Sequence, residues 1–82
     1  MNYEQQLKDS GYEGKLDLAS LIRACGDKFH KLQQNDNHGT NFSAFEFRAS
    51  NEWKEGERMY TSGSTPEESV ANLLLRLKLN NL

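Results

Sequence analysis

Apolar residues recur every three or four positions in two stretches of this chain, and each stretch predicts a helix. In the first, Leu18, Leu21, Ile22, Cys25, Phe29 and Leu32 fall on one helical face. Asp17 stands where an N-cap or first-turn acid belongs, and Arg23, Asp27, Lys28 and Lys31 supply the polar side. Gly26 interrupts this face at a cost of about 1 kcal/mol relative to alanine, so it marks either a close approach to a sheet or a bend. The second stretch closes the chain. Thr65 is the expected N-cap, Pro66 the first helical residue, and Glu68 the partner that completes a capping box. Glu67 and Glu68 favour the positive end of the helix dipole, and Val70, Leu73, Leu74 and Leu77 form the apolar stripe.

The pattern between the helices is different. Residues 33–41 contain no apolar side chain and predict an exposed connection. From Phe42 to Ala49 the period falls to two, with Phe45, Phe47 and Ala49 on one side of an extended chain and Ala44, Glu46 and Arg48 on the other. Ser50-Asn51-Glu52 offers a turn. Trp53 to Ser62 then reads as a further strand, or as two shorter ones if Lys54 to Glu57 turns again, with Met59 and Thr61 sharing a face. Residues 1–15 are polar around Tyr3, Leu7 and Tyr12 and are broken by Gly11 and Gly14, which predicts a partly ordered arm. Residues 16–82 should form a single small α+β domain: helix, two- or three-stranded antiparallel sheet, helix, with both helices on one sheet face.

Composition narrows the function classes. With 82 residues the chain is one domain that buries roughly 60–65% of its unfolded surface, leaving little material to line a deep substrate cavity. A net charge of −2 gives no whole-chain attraction to phosphate backbones. A single cysteine forbids an internal disulfide and fits a reducing cytoplasm, and neither a signal-peptide pattern nor a run of about 18 apolar residues is present. The expectation is a soluble cytoplasmic protein with no membrane association, cofactor or metal.

Candidate chemistry is sparse. Cys25 and His30 would diverge by about 140° on a helix, so they make no nucleophile–base pair, and Cys25 is expected in the core with His30 a solvated helix residue. His38 with Asp36 is the nearest approach to an acid–base pair, but one histidine beside one acid specifies no reaction. The run Asn35-Asp36-Asn37 lacks the acid spacing of a calcium loop. Ser62-Gly63-Ser64 precedes a helix N-terminus that would suit an anion, yet Glu67 and Glu68 would repel one. No catalytic residue is therefore assigned.

The segments Leu-Ile-Arg-Ala-Cys-Gly-Asp-Lys-Phe at 21–29 and Gly-Ser-Thr-Pro-Glu-Glu-Ser-Val-Ala-Asn-Leu at 63–73 resemble small uncharacterised proteins of phages and prophages. The closing Thr-Pro-Glu-Glu helix is also similar to the end of HicB-like antitoxins, whose early strand pair and DNA-binding domain have no counterpart here. The helix–strands–helix order resembles the double-stranded-RNA-binding domain. Pro66-Glu67-Glu68 stands where that family has a lysine-rich phosphate contact, so the resemblance implies topology rather than RNA binding.

Small size, net acidity and the absence of catalytic spacing, together with the resemblance to phage proteins, lead to the expectation of a non-enzymatic phage or prophage accessory protein that binds a host or phage protein as inhibitor or adaptor. An acidic strand surface of Glu46, Glu55 and Glu57, with Trp53 and Tyr60 as anchors and Arg48 and Arg58 beside them, is the expected partner-binding region. The alternative is a nucleic-acid-binding module that uses Arg48, Arg58, Lys54 and exposed aromatic rings on the strand face. Leu75 and Leu79 lie off the main stripe of the last helix and would meet either a second copy, as in a homodimer, or the N-terminal arm.

Overall fold

The computed structural model describes residues 3–35 and 41–80 of the chain. Helices α1 (Tyr3–Asp9) and α2 (Leu18–Cys25) precede strands β1 (Phe29–Asn35), β2 (Asn41–Glu46) and β3 (Tyr60–Gly63), and helix α3 (Pro66–Asn80) closes the fold. The strands form an antiparallel sheet in the order β1-β2-β3. Helix α3 crosses β2 and β3, α2 packs along α3, and Leu21 and Cys25 of α2 share one core with Ala44 of the sheet. The α+β class, with both of these helices on one sheet face, is as expected from the sequence.

Capping sets both helix starts. Asp17 accepts the Ser20 amide at 3.2 Å and the Ser20 hydroxyl at 2.8 Å. Those bonds hold its carboxyl below the usual range. Thr65 Oγ1 accepts the Glu68 amide at 3.1 Å, as predicted. The return half of the box differs: the Glu68 carboxylate takes both the amide and the hydroxyl of Ser64. The start of α3 thus holds its own anion, so the Ser62-Gly63-Ser64 turn is a capping device.

The first helix is shorter than its apolar period predicts. It ends at Cys25, where Gly26 takes φ +60° and returns its amide to the Arg23 carbonyl. Phe29 and Leu32 lie on β1 instead, and His30 is an exposed strand residue rather than a helical one. A register irregularity between Phe29 and Lys31 explains the misleading spacing. One extra residue at His30 lets Phe29, opposite Glu46, and Leu32, opposite Ala44, turn the same way at a separation of three. The expected connection over 33–41 is correspondingly narrowed, because strands occupy Asn35 and Asn41. The Asp36–His38 pair and the Asn35-Asp36-Asn37 calcium reading involve positions outside the described residues.

Alternation along β2 turns Phe42, Ala44 and Glu46 toward α3 and Ser43 and Phe45 away from it. Ala44 is completely buried, and the Thr61 hydroxyl opposite it donates to the Ser69 carbonyl of α3 at 2.8 Å, which fixes the covered face. A Cβ on Gly63 would lie 2.5 Å from the Ser69 amide nitrogen, so β3 and α3 approach backbone to backbone. Phe45, next to Ala44 in the strand, faces outward, and Phe47 is 59% exposed. The Trp53–Ser62 stretch is a strand only from Tyr60, preceded by a 3₁₀ turn at Ser50–Glu52. Residues 3–9, within the expected arm, are helical, and Leu7 is completely buried in the common core. Leu75 packs against that core, whereas Leu79 is 69% exposed.

Candidate functional site

Two places bring the sequence-predicted site residues together: an ion cluster at the end of the sheet and the sheet face that no helix covers. The cluster is built on Glu46, the last residue of β2, whose side chain is 3% exposed and points toward α3. Arg48, two residues on, grips it with Nε to Oε2 at 2.7 Å and Nη2 to Oε1 at 3.0 Å. Arg76 reaches across from α3 and donates through Nη2 to Oε1 at 2.7 Å and through Nε at 3.1 Å. Its remaining Nη1 donates to the Arg58 carbonyl at 2.8 Å, which ties α3 to the approach to β3.

Arg48 has a second partner. Its Nη1 donates to Glu57 Oε1 at 2.8 Å, and the same oxygen accepts the Lys54 amide at 3.1 Å, fixing the turn around Gly56. The guanidinium carbon stands 4.1 Å from the centroid of Trp53. Trp53, half-buried, is therefore the stacking platform of an internal arginine and not a free anchor. Glu46 and Glu57 are likewise committed to arginines. Of the three glutamates expected to form an acidic surface, Glu55 at the turn stays exposed.

Electrostatics makes this cluster a poor reaction centre. Burial pushes the Glu46 carboxyl up, but hydrogen bonds from Arg48 and Arg76 outweigh burial and hold it below the usual carboxylate range. Arg48 lowers Glu57 in the same sense. An open groove of about 520 Å³ runs beside the cluster, lined in part by Lys28, Lys54, Leu74, Leu77 and Cys25. The Cys25 thiol there is pushed up to about 11 by burial, away from the thiolate a nucleophile needs. General acid–base work needs a group that exchanges protons near neutrality, and these carboxylates remain ionised instead. Among the described residues no three His, Cys, Asp or Glu side chains group as metal ligands.

The uncovered sheet face is assembled from the other alternating positions. Lys31, Phe45 and Tyr60 stand opposite one another across all three strands. The Phe45 and Tyr60 rings are 5.3 Å apart and tilted by 41°, and the Lys31 ammonium lies 4.7 Å over the Phe45 ring. The Glu46 amide bonds the Met59 carbonyl at 2.8 Å, continuing the β2–β3 ladder past Tyr60. Phe47, exposed just past the end of β2, has its ring centroid 6.1 Å from that of His30. Tyr60 therefore belongs to this face, Glu46, Arg48, Trp53 and Glu57 belong to the ion cluster, and Arg58 is exposed ahead of β3.

Sequence alternation had placed Phe45 and Phe47 on one side of the strand. It could not tell which side was covered, because the close β3–α3 approach depends on residues far along the chain. Arg76 was missed altogether, since a lone arginine on the polar flank of an amphipathic helix carries no distinguishing signal. No helix among the described residues is long and apolar enough to cross a membrane. No family model, curated protein or solved structure matches this chain.

Proposed function

We propose that this protein is a non-enzymatic phage or prophage accessory protein of the cytoplasm, which binds a host or phage protein through the uncovered face of its sheet and acts as inhibitor or adaptor. The observation that carries the reading is the row Lys31–Phe45–Tyr60, extended by exposed Phe47. Helices fill one side of the sheet, and these rings stand on the other with no element of the described fold over them. Aromatic side chains in such a setting are the residue type that dominates binding energy at interfaces. The phage attribution rests on the resemblance of residues 21–29 and 63–73. The non-enzymatic reading is supported by the ion pairing of Glu46 and Glu57 and the neutral Cys25 thiol.

The test is affinity purification from nuclease-treated host lysate with the native chain and with Phe47→Asp. Phe47 is largely solvated, so this variant should keep its circular-dichroism spectrum and melting temperature. A stoichiometric protein partner retained by the native chain and lost with Phe47→Asp is the expected result. A partner retained equally by both would remove the sheet face from the mechanism.

A nucleic-acid module is the second reading, and one observation favours it: cationic Lys31 lies against an aromatic ring, as in single-strand platforms. Arg48, assigned to that role from the sequence, is already held by Glu46 and Glu57.

A further inference from the structure

The ion cluster at the end of the sheet is also one wall of a groove of about 520 Å³, which opens where the C-terminal parts of α2 and α3 meet the connection between β2 and β3. Its apolar lining reaches the core: Cys25 and Leu74 are 5% and 4% exposed, and half-buried Leu77 extends them along α3. Lys28 just past α2, Lys54 from the connection and Lys78 from the last turn of α3 line the same opening. None of these three lysines has a carboxylate partner among the described residues.

We propose that this groove binds a small organic anion with an apolar body, an aromatic or short aliphatic carboxylate, whose charge meets the lysines and whose body lies on Cys25, Leu74 and Leu77. Charge selects the sign of the ligand. Arg48 and Arg76 already match the carboxylates of Glu46 and Glu57, so Glu52 is the one lining acid left against three lysines, in a chain whose net charge is −2. Lys28 and Lys78 also complement the C-terminal ends of α2 and α3, but each such end carries only about half a unit of charge, so most of the lysine charge stays unmatched.

Size and arrangement select a small molecule. Sites for small ligands span about 300–1,000 Å³ and combine apolar lining with a few charged groups, and this groove falls within that range. Its lysines come from three separate elements around one opening instead of forming a track, which suits one compact charge better than the repeated phosphates of a nucleic acid. A ligand touching α2, α3 and the connection at once would hold these elements together and raise the melting temperature as its concentration rises. The site is independent of docking on Phe45 and Tyr60, which stand on the side of the sheet away from both helices.

The test is titration of the ¹⁵N-labelled chain, followed by amide chemical shifts, with three probes of nearly the same shape: 2-naphthoate, 2-naphthamide and 2-naphthylmethylammonium. The naphthoate should shift the amides of Cys25, Lys28, Lys54 and Leu77, bind about tenfold more tightly than the neutral amide at low ionic strength, and weaken as salt rises. Lys28→Gln and Lys54→Gln, both at exposed positions, should each weaken it by about threefold while leaving the spectrum otherwise native. Equal binding of naphthoate and naphthamide would overturn the anion and leave only an apolar groove. Tighter binding of the ammonium at the same amides would overturn the sign of the ligand. Naphthoate shifts confined to Lys31, Phe45 and Tyr60, or none with any probe, would overturn the site itself.

Discussion

Glu46 shows how neighbours decide what a residue can do. As the last inward position of β2 it meets two arginines from different parts of the chain, so a side chain that would suit a binding surface becomes an internal crosslink. Cys25 is the apolar counterpart. Its helical spacing with Leu18, Leu21 and Ile22 predicts burial, and it lies 5% exposed with burial pushing its thiol up to about 11. Reaction with a thiol reagent at pH 8 should be slow in the native state and become fast on unfolding in guanidinium. The check is the ratio of the two rates with 5,5′-dithiobis(2-nitrobenzoate); a native thiol reacting as fast as the unfolded one would contradict the burial.

At the scale of elements, legibility depended on how local the deciding interaction was. Both helix starts could be read because a cap is made within four residues, as Asp17–Ser20 and Thr65–Glu68 show. The end of α2 could not be read from period alone, since the bulge at His30 gives a strand the three-residue spacing of a helix. Gly26, with φ +60°, was the signal that distinguishes the two. The outward aromatic face was hidden for a longer-range reason: it follows from α3 lying against Ala44 and Gly63, many residues away in sequence. Helix α1 is a related case. Its polar composition suggests a loose arm, yet it places Leu7 completely within the core, beside α3. Leu7→Ala should therefore cost about 2–4 kcal/mol. For a domain of this size each kcal/mol lowers the melting temperature by about 4–8 °C, so calorimetry will separate this outcome from the negligible loss expected of a solvated arm.

For the molecule as a whole, the ion cluster joins the C-terminal half of α3, the end of β2 and the β2–β3 connection. A small core gives such links weight, and because they depend on ionised carboxylates they also set the response to acid. Glu46, Glu57, Asp17 and Glu68 are all held below their ordinary values. Groups lowered in the folded state contribute stability that is fully present above the unfolded carboxylate value, about pH 4.3 for glutamate. That contribution is lost as pH falls through the lower, folded values, because the unfolded chain then takes up protons that the folded one refuses. The melting temperature should thus stay level from pH 7 to about pH 5 and drop steeply below about pH 4. Glu46→Gln supplies the control. Removing the carboxylate leaves Arg48 and Arg76 facing a neutral amide, which should cost about 3 kcal/mol near neutrality. The deficit should then shrink in acid, where native Glu46 itself becomes protonated, so the two melting curves converge as pH falls. A constant gap between them from pH 7 to pH 3 would show that Glu46 acts through packing rather than charge.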